Sequence, residues 1–414
     1  MKNQTNKDQL IIKNIGELVT CPKDGAADEL GIIEDAGILI KNGKIEYVGK
    51  SNELPTTQIS DNTEIIDANG KPVLPGFIDP HTHFVFGGYR DDEFSWRLQG
   101  VPYEEIMARG GGIVNTVEDT RDSSFQRLKE LGQKRLNSML QFGVTTVEGK
   151  TGYGLDLETE LKQLKVMKKL NEEHSLDIVM TFMGAHAFPK KYKDNQEQYV
   201  DIVIEDMLPA IKDEGGAEFC DIFCDKGAFT IDQSRKVLQK ARELGFKLKI
   251  HADEIAPVGA AELAAELNTT SAEHLLKASD EGLKAMADNN IIPVLLPITA
   301  FSLKDDYAPA RKMIDMGLPV ALATDFNPGS CFSESIPLLL TLSTLYMGLK
   351  PAEVIRGLTI NAAAALNKES EIGSIEVGKK ADMVILDSPS YTHLTYHLGV
   401  NCVDTVIKNG DVIL

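Results

Sequence analysis

Two histidines stand two residues apart in the segment DPHTHF, directly after an apolar run of the kind that forms a strand. Because side chains along a strand alternate between its faces, His81 and His83 are predicted to point to the same side. Two imidazoles that face one point can bind a metal ion. The pair alone is equally compatible with a polar strand end, so the prediction depends on what else converges there.

Two further strand ends carry metal-ligand residue types. KLKIHADE places His251 at the carboxyl end of one candidate strand, and ALATDFNPG places Asp325 at the end of another. Three imidazoles and one carboxylate suit a borderline divalent ion such as zinc or ferrous iron and leave a coordination position for water. Such water ionises near neutral pH and supplies a nucleophile. The alternative for Asp325 is a helix cap before the NPG sequence, which would not explain the matching histidines.

Three more polar residues follow candidate strands, and we expect them to lie beside the predicted metal ligands. They are His186 in GAHAF, Glu254 in HADE and His274 in AEHLL. Each alone could be an ordinary buried residue, but their common placement at strand ends favours an active site. Two imidazoles and a carboxylate beside activated water could polarise a carbonyl, accept a proton and protonate a leaving nitrogen. The general base is left open among Glu254, His274 and Asp325.

Loops after the first two strands offer groups that could bind substrate. Arg90 in GGYRDDEF could hold a carboxylate in bidentate fashion, or equally could pair with the acidic residues at 91–93. Tyr153 in KTGYG offers a hydroxyl, although packing is the commoner role of a partly buried tyrosine. Lys150 would bridge two metal ions only if it were carboxylated, and we expect an ordinary ion-pairing residue.

Eight apolar runs alternate with helical patterns between residues 73 and 330, and eight is the number of parallel strands that closes a TIM barrel. The runs are VLPGFIDPHTH, VTTVEGKTGYG, IVMTFMGAHAF, EFCDIFCD, KLKIHADE, SAEHLL, IIPVLLPI and PVALATDFNPG. One helix is expected over SSFQRLKELGQKRLNSMLQFG, with Phe125 and Leu128 on or near one face and Gly143 as its stop. A second is expected over TIDQSRKVLQKARELG, which Gly245 ends.

The two ends of the chain have the alternating pattern of hairpins. ILIKNGKIEYVGK turns at Asn42-Gly43, and DTVIKNGDVIL turns at Asn409-Gly410. Neither end has enough strands to be stable alone, so we expect both to form one small β module. The predicted fold is an α/β chain with a (β/α)8 barrel over residues 73–371. A small β-sandwich domain is formed from residues 1–72 plus 372–414.

Composition limits the classes of partner and compartment. The 414 residues include 43 Lys and Arg against 62 Asp and Glu, and the net charge of −19 argues against nucleic acid or an anionic membrane surface. The beginning of the sequence lacks the apolar stretch of a signal peptide, no run of about 18 apolar residues occurs, and a cytoplasmic protein is expected. A homodimer is compatible with this sequence.

The cysteines and the last two histidines are expected outside the active site. Five scattered cysteines do not resemble a disulfide framework, and reduced thiols are predicted for Cys21, Cys220, Cys224, Cys331 and Cys402. His393 and His397 are four residues apart, a spacing that chelates on a helix, but their segment lies near the terminal β module. We expect surface or packing residues there.

PGFIDPHTH, HADE, ATDFNPG and IGSIEVGKKADMVILD resemble the amidohydrolase superfamily over nearly the whole chain. Longer runs, such as DPHTHFVFGGYRDDEFSWRLQG, TTVEGKTGYGLDLETELK and TFMGAHAFP, are similar to the imidazolonepropionase family. The resemblance implies a TIM-type barrel with a composite β domain and one divalent or trivalent metal ion, zinc or iron. It also implies a small-molecule substrate, 4-imidazolone-5-propanoate, which is hydrolysed to N-formimidoyl-L-glutamate.

The resemblance also implies roles for individual residues. The family's metal ligands match His81, His83, His251 and Asp325, and its second catalytic-site histidine matches His274. Its substrate-contacting positions match Arg90, Tyr153, His186, Glu254, Asn327, Gly329 and Ser330. VEGK in place of VEVK and GGYR in place of AGSR are small departures that remove no polar functional group.

Two other functions compete with this hydrolysis. A purine or pyrimidine deaminase would use the same metal with a different pocket, but an arginine placed to bind a carboxylate favours the propanoate. A catalytically silent binding protein would be expected to lose metal ligands, and this sequence keeps the full set.

Overall fold

The computed structural model describes residues 9–55, 62–101, 105–106, 109 and 111–414, and it contains two sheets of eight strands each. The mixed sheet consists of β1 (Gln9–Leu18), β2 (Ile33–Lys41), β3 (Lys44–Lys50), β4 (Thr63–Asp67), β5 (Val73–Pro75), β14 (Met383–Leu386), β15 (Val403–Lys408) and β16 (Asp411–Val412). The parallel sheet consists of β6 (Phe77–Asp79), β7 (Val144–Lys150), β8 (Asp177–Ala185), β9 (Ala217–Cys224), β10 (Lys247–Ala252), β11 (Ser271–His274), β12 (Ile292–Leu295) and β13 (Ala321–Leu322).

The mixed sheet joins the two ends of the chain, as the sequence predicts. Strand β5 pairs parallel with β1 and antiparallel with β14, so it links the amino-terminal strands to the carboxyl-terminal ones. The β2–β3 turn has φ of 51° at Asn42 and 74° at Gly43, and the β15–β16 turn has 49° at Asn409 and 80° at Gly410. Two successive left-handed residues fit a type I′ turn, which confirms both predicted hairpins.

The parallel sheet forms the predicted barrel, with its strands in sequence order from β6 to β13. Its first and last strands meet just beyond their carboxyl ends, where Thr82 and Phe326 form a parallel bridge. The Asp325 N–H donates to the His81 carbonyl at 3.1 Å, and the His83 N–H donates to the Phe326 carbonyl at 2.9 Å. These bonds close the ring and hold the two strand ends side by side.

Helices fill the connections between the barrel strands and continue after the barrel. The helices of the described residues are α1 (Asp91–Leu98), α2 (Ile113–Asp122), α3 (Phe125–Gln141), α4 (Leu157–Glu173), α5 (Gln196–Ile202), α6 (Leu208–Glu214), α7 (Ile231–Glu243), α8 (Ala260–Glu266), α9 (Asp280–Asp288), α10 (Pro297–Leu303), α11 (Ala310–Asp315), α12 (Ile336–Leu345), α13 (Pro351–Gly357), α14 (Ile360–Ala365) and α15 (His393–Tyr396). No helix among these residues is both long and apolar enough to cross a membrane.

The two helices singled out from the sequence begin and end as predicted. Ser124 caps the amino end of α3, and Gly143, with φ of 83°, follows its carboxyl end. Thr230 caps the amino end of α7 in a capping box, and Gly245 follows its carboxyl end. Leu128, Leu131 and Met139 of α3 are buried, whereas Phe125 is 39% exposed. It occupies the first helical turn, where the helix has not yet reached the barrel core.

The first predicted strand run divides into two strands that belong to different sheets. Val73–Pro75 pairs in the mixed sheet and Phe77–Asp79 in the barrel, with Gly76 between them. A Cβ at Gly76 would lie 2.4 Å from Cγ2 and 2.5 Å from Oγ1 of Thr145, so only glycine fits where the chain crosses. The exact boundary between the two units stays a prediction.

Gly76→Ala is expected to destabilise the fold by about 1–3 kcal/mol, because the added methyl group overpacks a buried crossing. Thermal unfolding of the single variant, of Thr145→Ala and of the double variant measures this effect. Thr145→Ala removes the two closest atoms and is expected to recover part of the loss in the double variant. An unchanged midpoint for Gly76→Ala would show that this crossing is not tightly packed.

Candidate metal centre and active site

Four histidines meet at the carboxyl end of the barrel. The ring centroid of His81 lies 4.6 Å from that of His251 and 5.7 Å from that of His274, and the centroids of His83 and His251 are 5.9 Å apart. All four side chains are buried. One ligand atom each from His81, His83 and His251 lie within 4.8 Å of one another, so these three imidazoles can grip one ion.

Asp325 approaches this cluster from the last barrel strand. Its Oδ1 lies 3.5 Å from His81 Nε2 and 3.9 Å from His83 Nε2, while Thr299 donates a hydrogen bond of 2.7 Å to its Oδ2. His81, His274 and Asp325 form a second group of closely spaced ligand atoms. Asp325 and His274 both have left-handed backbones, with φ of 53° and 69°. Such strained backbones are found preferentially at functional sites.

Two buried carboxylates that no sequence motif predicted contact the imidazoles on the side away from the shared ligand point. Glu273 on β11 lies 2.9 Å from His81 Nδ1, and Asp221 on β9 lies 3.1 Å from His251 Nδ1. A carboxylate at Nδ1 fixes the tautomer of a histidine and leaves Nε2 with its lone pair for a metal ion. The available sequence signal was an acidic residue inside each of two apolar strand runs.

Two lysines beneath the cluster balance these carboxylates. Lys150 Nζ lies 2.7 Å from Asp221 and 2.9 Å from Glu148, and Lys249 Nζ lies 3.3 Å from Glu148 and 3.6 Å from Glu273. Burial opposes the charge of Lys150, but Asp221 and Glu148 outweigh it and hold its pKa above the ordinary value. Lys150 is therefore an ion-pairing ammonium group, as the sequence analysis expected.

The donor set at the barrel end fits a divalent transition-metal ion. Burial, followed by the charge of Lys150, holds the pKa of His81 well below its ordinary value, and burial with the neighbouring His186 does the same for His83. Both imidazoles are therefore neutral, as ligation requires. His81 Nε2 is buried without a hydrogen-bond partner among the described residues, although it faces Asp325. An unpaired buried acceptor is costly, and a cation would satisfy it.

His186 and Tyr153 form one wall of the same site. The His186 ring stacks on His83 at 5.0 Å between centroids, and Tyr153 lies 5.3 Å from His186. The Gly152 carbonyl lies 3.0 Å from His186 Nδ1, and burial lowers the pKa of His186 to about 4. The ring is thus neutral and donates from Nδ1, which leaves Nε2 as an acceptor.

Glu254 lies beside His274, another histidine of the cluster. Its Oε1 lies 3.4 Å from His274 Nδ1, and its backbone N–H donates to Asp225 at 2.7 Å. Burial, with smaller contributions from Asp325 and Asp225, raises the pKa of Glu254 to about 8. A carboxyl group whose pKa lies near neutral pH can exchange a proton during a reaction.

Arg90 pairs with an acidic neighbour, one of the two alternatives that the sequence allows. Its Nε and Nη2 donate to Glu93 at 2.9 and 2.6 Å, and Glu93 also accepts from the Gly112 N–H at 2.7 Å. The remaining nitrogen, Nη1, lies 2.1 Å from the position that a Cβ on Gly329 would occupy. Glu93 therefore holds the guanidinium in place and leaves one edge facing the turn at Gly329.

Asn327 and Ser330 shape that turn. The side-chain oxygen of Asn327, Oδ1, accepts hydrogen bonds from the backbone N–H groups of Gly329 and Ser330, both at 2.8 Å. Its amide nitrogen donates to the Asp325 carbonyl at 2.7 Å and to Ser330 Oγ at 2.9 Å. The turn thus connects the Asp325 backbone to the loop beside Arg90.

A cavity of about 810 Å³ opens next to Arg90 and Gly329. Its wall is largely apolar and includes the aromatic side chains of Tyr89, Phe94, Phe301 and Phe332. The cavity gives a path from solvent to the rim of the barrel.

The structure brings the predicted residues into two adjoining groups. The inner group contains His81, His83, Tyr153, His186, His251, Glu254, His274 and Asp325. The rim contains Arg90, Asn327, Gly329 and Ser330.

Comparisons with known proteins agree with this architecture. A model described as the amidohydrolase family matches residues 73–413. The curated imidazolonepropionase of Clostridium tetani is 54% identical over 98% of both chains. That of Parabacteroides distasonis is 53% identical over 98% of this chain and 99% of the relative.

Solved structures share the fold at low identity. An adenosine deaminase from Xanthomonas campestris with bound zinc has a TM-score of 0.74 and 18% identity, covering 98% of this chain and 92% of that one. Atrazine chlorohydrolase from Arthrobacter aurescens, complexed with zinc, has a TM-score of 0.70 and 18% identity, covering 98% and 95%. With a family model over most of its length and relatives of 53–54% identity along nearly all of it, the chain belongs to the amidohydrolase family, in its imidazolonepropionase branch.

Proposed function

We propose that this enzyme hydrolyses 4-imidazolone-5-propanoate to N-formimidoyl-L-glutamate, a step of histidine degradation. The observation that carries the proposal is the 54% identity with the imidazolonepropionase of Clostridium tetani over 98% of both chains. The reaction adds one water molecule and breaks one carbon–nitrogen bond of the ring. The ring carbonyl carbon becomes the new carboxylate, and the released nitrogen gains a proton within the formimidoyl group.

The residues that would hold the required cation are His81, His83, His251 and Asp325, with zinc or iron as the ion. When bound, such an ion lowers the pKa of water and polarises a carbonyl. The Nδ1 contacts with Glu273 and Asp221 keep two of the imidazoles turned toward one point. That rigidity reduces the reorganisation needed during the reaction.

The rim residues would bind and orient the substrate. Arg90 is placed to bind the propanoate carboxylate through Nη1, the guanidinium nitrogen that Glu93 does not engage. The missing Cβ of Gly329 lets that nitrogen lie close against the turn, and Asn327 with Ser330 fixes the turn itself. His186 and Tyr153 would hold the ring against the His83 side of the site.

Glu254, in contact with His274, would move the protons, and Asp325 would serve mainly as a ligand. Glu254 accepts the proton of the attacking water, because its carboxylate is the base adjoining the histidines and its pKa is already raised by burial. His274 contacts Glu254 and remains neutral, since burial holds its pKa well below the ordinary value. The proton held by Glu254 can then pass to the leaving nitrogen.

We also infer a reducing, cytoplasmic location and a small-molecule substrate, with no nucleic acid or membrane partner. All five cysteines are free and buried, which suits a reducing compartment. A net charge of −19 disfavours a polyanionic partner such as nucleic acid.

The purified enzyme is expected to consume imidazolone propanoate, measured as loss of the substrate's absorbance. Chelation should abolish this activity, and added zinc or ferrous iron should restore it, because the water nucleophile depends on the cation. Metal analysis of the protein as isolated identifies the native ion. Release of ammonia from guanine or cytosine, with no consumption of imidazolone, would instead support a deaminase.

Glu273→Gln is expected to weaken metal binding about 10- to 100-fold, because the amide cannot support the ligating tautomer of His81 as a carboxylate does. Competition with a chromophoric chelator measures the affinity. Glu148→Gln is the matched control, since Glu148 is equally buried and shares the contact with Lys249, but it pairs with no described histidine. Equal losses in both variants would show that the charge network matters and the histidine contact does not.

Glu254→Gln is expected to lower kcat by about 10²- to 10⁴-fold while metal content stays unchanged, because it removes the proton acceptor. In the unsubstituted enzyme, kcat/KM should rise with pH as Glu254 ionises. That limb should lie between its ordinary pKa and about 8, since burial raises the value and a bound cation lowers it again.

Asp305→Asn is the control for Glu254→Gln. Asp305 is partly exposed and contributes to the raised pKa of Glu254 through its charge alone. Its neutralisation should leave kcat intact and move the acid limb to slightly lower pH. Near-normal turnover in Glu254→Gln would exclude Glu254 as the base and turn attention to His274.

A further inference from the structure

A second group of metal-ligand side chains lies outside the barrel mouth, in the segment between β14 and β15. One ligand atom each from His393, His397 and Cys402 lie within 4.8 Å of one another. The Cys402 Sγ is 3.8 Å from His397 Nδ1, and the two imidazole centroids are 5.2 Å apart. Cys402 is buried, His393 is half-buried and His397 is exposed, so the group opens to solvent on one side.

The segment that carries this group is fixed at both ends. Leu394 is buried, and its helix α15 packs on α12 of the barrel unit. The Gly399 N–H donates to Thr341 Oγ1 at 3.2 Å, and the Asn401 side chain donates to the Gln141 carbonyl at 2.8 Å. The cysteine then precedes β15 directly. The three ligand atoms are therefore held near one another by the fold without an ion.

We propose that His393, His397 and Cys402 form a second metal site, for a zinc-class transition-metal ion with water as the fourth ligand. A thiolate with two imidazoles is a donor set for zinc and similar borderline ions. A tetrahedral zinc site places its sulfur and nitrogen ligands about 3.6 Å apart, from bond lengths of about 2.3 and 2.0–2.1 Å. The observed 3.8 Å between Cys402 and His397 is already close to that spacing.

The position of the group indicates a structural role for the ion. His393 begins the short helix α15, which packs against the barrel unit, and His397 directly follows it, whereas Cys402 leads into a strand of the mixed sheet. An ion that joins them would tie the two units together, and its binding free energy would add to the stability of that junction. The site shares no residue with the cluster at the barrel end, so the inference does not depend on the proposed reaction.

Cobalt(II) alone is the probe, because a cobalt–thiolate bond produces a charge-transfer absorption in the near ultraviolet. The ligand set inferred at the barrel end contains imidazoles and a carboxylate, so that band reports the second site. We expect two equivalents of cobalt per chain and the band in the unsubstituted enzyme. Cys402→Ser and His397→Gln should each lose the band and one equivalent while retaining turnover.

One control variant and a second variant of the site keep the outcome unambiguous. Cys331→Ser removes the thiol that lies near Asp325 and should leave the band intact. His397→Gln changes an exposed residue, so it tests the site even if Cys402→Ser folds poorly. Absence of the band from the unsubstituted enzyme, or its persistence in both site variants, would overturn the proposal. Zinc should also raise the unfolding temperature of the unsubstituted enzyme more than that of His397→Gln.

Discussion

Charge balance inside the barrel is the constraint on which the candidate active site depends. The groups concerned are the carboxylates of Glu148, Asp221, Glu273 and Asp325 and the ammonium groups of Lys150 and Lys249. They leave an excess of two negative charges in a buried region, where unbalanced charge is costly, and a divalent cation neutralises that excess. Without a cation, protonation can reduce it, since burial raises the pKa of Glu273 and takes that of Asp325 to about 6. Binding of the ion and ionisation of these carboxylates are therefore linked.

Other acidic side chains hold the loops at the barrel mouth. Glu160 accepts hydrogen bonds of 2.8–3.0 Å from three backbone N–H groups at 152–155, in the loop that carries Tyr153. Asp225 accepts from three successive N–H groups at 254–256, beginning with that of Glu254. Carboxylates that satisfy several backbone donors fix a loop without regular secondary structure. The loops around the site are thus ordered before any substrate arrives.

Local pattern was sufficient to predict the barrel strands and both hairpins, and it drew attention to the histidines because strand ends meet in a parallel barrel. It was insufficient for the orienting carboxylates. Glu273 and His81 are 192 residues apart, and their contact depends on how the barrel closes. Asp221 sits in an alternating run that resembles any other strand, and only the adjacency of β9 and β10 gives it a histidine partner. The sequence likewise left open which group pairs with Arg90. In the structure it is Glu93, three residues further along in helix α1.

The mixed sheet has a part in positioning the metal ligands, because it anchors the first barrel strand. Among residues 9–55 and 62–76 no α-helix precedes β6, and the amino end of this strand is held by the sheet through the Gly76 N–H, which donates to the Asp382 carbonyl at 2.9 Å. Asp382 is fixed in turn by a buried ion pair of 2.6 Å with Lys408 on β15. His81 follows β6 after only one intervening residue, so little slack separates the sheet from the imidazole. A chain whose two ends meet in one sheet therefore fixes the strand that brings His81 and His83 into the site.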